Sequence, residues 1–241
     1  MTEQLPKTVF NWSGGKGSSL ALYKMLQDKK HEIVSLLVTI NSDTKRSTLH
    51  GIPIYLVEKQ AKSIGIPLYT VDVPPEGKMD DYLKAMSKAV EHFKSIGVTH
   101  FAFGDISLPH VLKHRKEKLE PFGITVVEPL WGKNAEEVMK EFLESGLKAI
   151  IVTTMAEHLD ERFIGRNIDE SFIKDLPENV DICGENGEYH TFCYDGPIFS
   201  SPVTYTLEEP VKRTYTFKFK DGRIREFSYW FANISGQTPQ S

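Results

Sequence analysis

The chain reads as an α/β protein in which a parallel five-stranded sheet is followed by a smaller α+β unit. Three observations predict this. Segments of strand and helix period alternate strictly over roughly the first half of the chain, with short links between them. The run Glu32 to Ile40 is nearly continuous and β-branched, as in a strand covered on both faces. Near the end, Thr214 to Lys220 alternates Tyr215, Phe217 and Phe219, Asp221-Gly222 supplies a two-residue turn, and Arg223 to Phe231 returns, which is the pattern of an antiparallel hairpin.

Taken in order, Thr8 to Trp12 is a short first strand, and Leu20 to Leu26 lies in the first helix. After the strand Glu32 to Ile40, Asn41 to Ser47 is polar and reads as a loop. Ile54 to Ile64 has helical spacing and stops at Gly65, and Pro67 to Val73 is the third strand. Pro74-Pro75-Glu76-Gly77 is a turn signal. Met79 to Ser95 is a long amphipathic helix with Tyr82, Leu83, Met86, Val90 and Phe93 on one side. The fourth strand, Val98 to Phe103, ends at Gly104-Asp105. A charged helix from Pro109 to Glu120 then leads to the fifth strand, Ile124 to Val127. Right-handed crossovers place ligands beyond the carboxyl ends of such strands, so the segment after the first strand and Asp105 should face one crevice. The character changes at Glu128-Pro129-Leu130-Trp131, which sets a boundary between residues 1–130 and 131–241, with Trp131 packed at the junction. A helix from Asn134 to Ser145, a strand from Ala149 to Thr153, a polar stretch with single glycines, the hairpin and a loose tail from Ser235 complete the chain. The aromatic row of the hairpin is expected in the core.

Ser13-Gly14-Gly15-Lys16-Gly17-Ser18-Ser19 sits between the first strand and the first helix. Consecutive glycines let several N–H groups converge, the helix N-terminus adds partial positive charge, and Lys16 adds a full one. The ligand such a turn suits is phosphate. Two other phosphate loops fail on spacing. The ATPase P-loop needs Gly and a hydroxyl residue where Phe10 and Gly17 stand, and the dinucleotide fingerprint would need its third glycine at Leu20. What remains resembles the pyrophosphate loop of the ATP pyrophosphatases, Ser-Gly-Gly-x-Asp-Ser, with Gly17 where that family carries Asp.

Composition sets outer limits. The 241 residues allow one large domain or two modest ones, and 40% hydrophobic with 26% charged residues is an ordinary soluble composition. A net charge of -4 gives no global footprint for nucleic acid. No charged-then-apolar leader and no apolar run near the ~18 residues of a membrane span are evident, so the expected location is the cytoplasm. The two cysteines, Cys183 and Cys193, lack zinc or redox spacing and are expected as free thiols.

The second half carries Asp181-Ile182-Cys183-Gly184-Glu185-Asn186-Gly187-Glu188-Tyr189-His190-Thr191-Phe192 and then Asp195-Gly196-Pro197-Ile198-Phe199. With Glu128 to Trp131 and Ile164-Gly165-Arg166, these motifs resemble the diphthine-ammonia ligase family and its bacterial relatives, a branch of the ATP pyrophosphatases. The resemblance implies an adenine nucleotide α-hydrolase-like, Rossmann-like sheet, with the active site in a cleft against a smaller C-terminal α+β domain. It implies ATP-dependent, AMP-forming amidation of a carboxylate by ammonia through an acyl adenylate, with Mg²⁺ as cofactor. Carried over, Ser13, Gly14, Gly15, Lys16, Gly17 and Ser18 form the loop for the outer phosphates. The main chain at Val38 and Thr39 would face the adenine.

The residues agree with that chemistry. Leaving pyrophosphate accumulates negative charge, which N–H donors, Lys16 and Mg²⁺ stabilise. Asp105 is a candidate for Mg²⁺ or ammonium, and Glu185 and Glu188 for binding ammonium or taking its proton. His50 and Arg115 are candidates for the substrate side. Glycine at 17 brings neither carboxylate nor helix cap, although Ser18 can replace the cap, so a nucleotide-binding module without turnover competes with the enzyme. RNA modification is a third reading, opposed by the acidic balance and by the lack of a cysteine pair for sulfur relay. His110 and His114 have zinc spacing but Val111 stands where a metalloprotease has Glu, so they read as surface residues. Arg166 is expected on a phosphate or paired with Asp169. The carboxylate substrate, free or protein-borne, and the oligomeric state stay open.

Overall fold

The computed structural model describes residues 4–48, 50–74, 79–218 and 222–236. Five strands, β1 (Lys7–Asn11), β2 (Glu32–Asn41), β3 (Leu68–Val73), β4 (His100–Ala102) and β5 (Thr125–Val127), form a wholly parallel sheet in the order β3-β2-β1-β4-β5. The connecting helices are α1 (Lys16–Asp28), α2 (Ile54–Ile64), α3 (Met79–Ser95) and α4 (Pro109–Leu119). The chain winds outward from β1 through β2 to β3, then returns by α3 to place β4 on the other side of β1. That reversal opens a crevice at the carboxyl ends of β1 and β4, where ligands of such sheets settle.

Alternate residues of each strand feed opposite faces. On one face Phe10, Leu36 and Val38 pack with Leu20 and Leu22 of α1 and Leu56 and Val57 of α2. On the other, Val9, Leu37, Val71 and Phe101 pack with Ala89, Val90 and Phe93 of α3 and Leu119 of α4. Gly65 ends α2 in the left-handed conformation at φ 81°, which its lack of a Cβ permits. α4 tightens at its end into a single 3₁₀ turn, Glu120–Phe122.

The C-terminal part consists of α5 (Ala135–Glu144), β6 (Lys148–Met155), α6 (Glu170–Asp175), β7 (Tyr189–Asp195), β8 (Thr206–Lys218) and β9 (Ile224–Ser235). Asn134 and Glu137 cap α5 reciprocally, which is why that helix starts where the sequence predicts. The strands form an antiparallel sheet in the order β7-β6-β9-β8. β6 is buried on both faces, and Ile150, Ile151 and Phe192 belong to the same apolar cluster as Phe10 and Leu20. Lys24 of α1 also reaches Glu141 of α5 at 2.8 Å.

Several expectations need correction. β7 and α6 lie in the polar stretch with single glycines, to which the sequence assigned no element. β8 begins eight residues earlier than Thr214, through Glu208-Glu209-Pro210, a sequence poor in strand formers. It is accommodated because β8 is the sheet edge and its register shifts between Glu208 and Val211, so proline removes no ladder bond that the sheet needs. Trp131 is 37% exposed, and the buried place at that turn belongs to Leu130. Tyr215 is 41% exposed and gathers with Tyr229 and Phe231 on an open ribbon rather than in the core. The expected turn residues Pro75 to Gly77, Phe219, Asp221 and the tail beyond Gly236 lie outside the described residues.

Candidate functional site

β1 ends at Asn11 and α1 starts at Lys16, so four residues, Trp12 to Gly15, make the whole connection. Gly14 has φ 80°, and a Cβ there would meet Gln60 Oε1 at 2.8 Å. A Cβ on Gly15, the helix N-cap, would lie 2.4 Å from His50 Cε1. Both positions therefore require glycine. Hydroxyls then tie the turn to itself: Gly15 N–H donates to Ser13 Oγ (3.3 Å), Ser13 Oγ to Ser18 Oγ (2.9 Å), and Ser18 Oγ to the Gly15 carbonyl (3.1 Å). Ser18 thus donates into the turn and does not replace the missing cap; no side chain caps α1. The N–H groups of Gly17 and Ser18 lie in the first turn, where an α-helix has no earlier carbonyl to offer, and they carry the positive end of its dipole. No acidic residue sits in that turn to neutralise it.

The second sheet clamps this loop. Cys193 N–H donates to the Gly14 carbonyl at 2.8 Å, and Lys16 N–H donates to Thr191 Oγ1 at 2.9 Å. Gln60, fully buried on α2, donates from Nε2 to the carbonyls of Gly14 (2.9 Å) and Cys193 (2.6 Å) and accepts from Trp12 Nε1 (3.0 Å). One amide side chain therefore joins loop, helix and β7.

A cavity of about 510 Å³ opens at the crevice. Ser13, Lys16, Gly17 and Ser18 line one wall, with Val38 and Thr39 at the end of β2. Asp105 and Arg115 line another wall, and Glu185 and His50 come from the remaining sides. Gly14 and Gly15 shape the loop without facing the cavity. Glu188 does not line it either, and is 3% exposed. Its carboxylate accepts the N–H groups of Asp181 and Asn186 and the Asn186 side chain, each at 3.0 Å. Burial pushes its pKa up, but those hydrogen bonds outweigh burial and hold it below the ordinary value. The paired expectation for Glu185 and Glu188 therefore separates: one carboxylate faces the cavity and the other folds the loop that presents it.

Glu185 is the reverse case. Burial raises its pKa, Lys16 opposes the rise, and Asp181 and Glu188 add to it. Arg115 pairs with the Asp105 carboxylate, reaches Glu128 Oε1 at 3.3 Å, and lies 3.9 Å from the centre of the Phe103 ring. Burial lowers the Arg115 pKa, with Glu128 and Tyr82 acting against it. While this pair stands, the guanidinium holds the carboxylate that would otherwise receive a cation. The Lys16 ammonium bonds to the Cys183 carbonyl and lies 5.3 Å over the Tyr189 ring.

His50 Nδ1 is 2.8 Å from the Thr191 carbonyl. A carbonyl only accepts, so the neutral ring carries its proton on Nδ1 and leaves Nε2 as an acceptor. His190 packs against it with ring centres 4.7 Å apart and planes tilted by 34°, and both rings line the cavity. Burial brings His50 down to about 4, the Thr191 bond opposing and Lys16 assisting. His190 falls to about 3 through burial, His50 and Lys16. His190, Thr191 and Gln60 were not singled out from sequence. The one local signal was Gln60, a polar residue at a buried helical position among Leu56, Val57 and Ala61.

The remaining candidates lie elsewhere. Arg166 pairs with Asp175 at 2.8 Å and reaches Ser171 at 3.3 Å, not directly Asp169, and does not line the cavity. His110 and His114 are both exposed, although His114 reaches the cavity rim. Both cysteines are free and buried, and burial pushes Cys183 up to about 11 and Cys193 to about 12. Among the described residues no three His, Cys, Asp or Glu side chains form a metal-binding group, and no helix is long and apolar enough to cross a membrane. Mg²⁺ that arrives on phosphates needs only one or two protein carboxylates; Glu185 faces the cavity, and Asp105 joins it when Arg115 gives up its pair, so the donor set fits such an ion once that pair opens.

Comparison with known proteins places this architecture. A family model described as the diphthamide synthase N-terminal domain matches residues 6–124, and one for the diphthamide synthase C-terminal domain matches residues 134–218. Diphthine-ammonia ligase of Bos taurus is 27% identical over 230 residues, covering 83% of this chain and 82% of that protein. Its counterpart in Homo sapiens is 26% identical with the same coverage, and that of Danio rerio is 27% identical over 237 residues, covering 83% of this chain and 86% of that protein. With matches that cover β1 to β4 of the first sheet, β6 to β8 of the second and the loop between β1 and α1, the chain belongs to the diphthamide synthase family of PP-loop proteins.

Proposed function

We propose that the protein is an AMP-forming, ATP-dependent ligase that amidates a carboxylate with ammonia, as the names of its relatives suggest. The observation that carries this reading is the single cavity where the Ser13 loop, the Asp105–Arg115 pair and Glu185 meet. The loop's free N–H groups at Gly17 and Ser18, with Lys16, hold the β and γ phosphates; Val38 and Thr39 border the adenine; His50 and Arg115 lie on the substrate side. A substrate carboxylate oxygen attacks the α-phosphorus, the bond to the β-phosphate oxygen breaks, and the loop stabilises the pyrophosphate that leaves. Ammonia then attacks the acyl carbon, AMP departs with the bonding pair, and Glu185, raised by burial, takes the surplus proton. Mg²⁺ would be held by Asp105 and the phosphates and would supply charge neutralisation on them. Residues 1–130 then serve as the ATP-binding part and 131–241 as the part that completes the substrate side.

Incubation with ATP, Mg²⁺, ammonium and candidate acids should release AMP and pyrophosphate; ADP and phosphate would refute the reaction type. Gly17→Asp separates an impaired enzyme from a binding module. The position has ordinary backbone geometry, and a Cβ there stands 3.3 Å from the Gly104 carbonyl oxygen, so the loop after β4 must give by a few tenths of an ångström. A gain in turnover with ATP affinity little changed identifies the enzyme. Inactivity of both forms identifies the binder.

A further inference from the structure

The Lys16 ammonium occupies a set of groups whose positions do not depend on it. Its carbonyl partner, Cys183, is fixed by Asp181, whose Oδ1 accepts the N–H groups of Cys183 (2.8 Å) and Glu185 (3.1 Å). The Tyr189 ring is held by its hydroxyl on the Ile182 carbonyl at 2.5 Å and by an edge contact with Phe172, ring centres 5.4 Å apart. Gly184, at φ 67°, lets the Cys183 turn press on that ring, because a Cβ there would come within 2.9 Å of it. Glu185, whose carboxylate accepts the Ile106 N–H, adds negative charge from the cavity wall at more than ion-pair distance from the ammonium. A carbonyl oxygen and an aromatic face in contact, with a carboxylate behind them, make a cage for a small cation with N–H donors.

Lys16 is a loose occupant. Among the described residues its ammonium makes one hydrogen bond of the three it can donate, although the residue is only 8% exposed. The same side chain borders the cavity next to the phosphate loop, so a bound triphosphate competes for it with several negative charges.

We propose that the cage formed by the Cys183 carbonyl, the Tyr189 face and Glu185 is the binding site for the ammonium substrate, filled by the protein's own Lys16 until nucleotide draws that side chain to the phosphates. This rests on the ligase reading above and deepens it. It makes binding ordered, with nucleotide before ammonium, and it places the nitrogen beside Glu185, which takes one proton as ammonium becomes the nucleophile ammonia and passes it to solvent before taking the second proton that attack on the acyl carbon releases. It also shields the acyl adenylate, since the nucleophile's site opens only when ATP is in place.

The test uses ¹⁵N-ammonium chloride observed by NMR on the full chain, with and without Mg²⁺ and α,β-methylene-ATP, which does not break between those phosphates. The wild type should bind ammonium only with nucleotide. Lys16→Met, which empties the cage but keeps the apolar stem, should bind it without nucleotide, and potassium should compete. Tyr189→Leu in that background should weaken binding about tenfold, the order expected for a desolvated cation over an aromatic ring. Glu185→Gln, which keeps shape and removes charge, serves in its place if the leucine variant does not fold. Absence of ammonium binding in Lys16→Met, or binding indifferent to Tyr189 and Glu185, overturns the cage. A nucleotide that fails to bind the wild type overturns the ligase reading alone, because the Lys16→Met arm needs no nucleotide.

Discussion

His50 and His190 show how a residue's surroundings set its chemistry. Both have folded-state pKa values below the ordinary 6.5, at about 4 and about 3, because burial beside Lys16 disfavours the imidazolium. The unfolded chain therefore binds protons between pH 6.5 and about 4 that the folded chain refuses. The stability they contribute is fully present above pH 6.5 and is lost as pH falls through that window, at roughly 1.4 kcal/mol per unit per ring. Urea midpoints measured from pH 7 to 5 should decline, and the decline should flatten in His50→Gln/His190→Gln. An unchanged slope in the double variant would remove these rings from the account. The two glutamates teach the same lesson. Glu185 and Glu188 are three apart in sequence, yet hydrogen bonds consume one and leave the other facing the cavity.

At the scale of elements, β7 is the back wall of the Ser13 to Ser18 loop. Its Thr191 hydroxyl takes the Lys16 N–H, one of the donors that the start of α1 would otherwise present to an anion. Thr191→Val keeps the shape and removes the acceptor, so the variant should lose about 1–3 kcal/mol, the cost of an unpaired buried N–H. Bound triphosphate can then satisfy that N–H, so nucleotide should raise the melting temperature of the variant more than that of the wild type. Equal shifts in differential scanning fluorimetry would place the Lys16 N–H outside the phosphate site. Gly104 is the counterpart on β4's side: a Cβ there would meet Ser18 N and Cα at 2.9 Å, so the two loops of the crevice touch backbone to backbone.

For the whole molecule, the two sheets share one apolar cluster. Leu20, Leu22, Leu56 and Phe10 belong to the same buried cluster as Ile150, Ile151, Phe172 and Phe192, α1 lies against β7 and α5, and Gln60 joins the two halves by hydrogen bonds. Cutting at residue 130 uncovers one face of α1 and α2. A fragment of residues 1–130 should therefore aggregate or melt without a cooperative transition, since the burial it loses is of the same order as a domain's whole net stability. A monomeric fragment with a sharp thermal transition and native near-ultraviolet dichroism would show that the first sheet stands alone.

By itself the sequence determined the alternating elements of the first sheet, the start of α5 at Asn134, the end of α2 at Gly65 and the loop from Ser13 to Ser18. Each depends on preferences that neighbouring residues carry: period, capping, and the turn that glycine allows. Strand formers were too sparse in Glu208-Glu209-Pro210 to reveal the first third of β8, and the turn-rich motif before Tyr189 hid β7. Only the tertiary structure decided that β4 lies beside β1, that Arg115 holds Asp105, that His190 packs against His50, and that Lys16 rests on a carbonyl 167 residues away. Those partners are chosen by packing and by the demand that every buried polar group find a match, a condition on the folded chain that no short window of sequence contains.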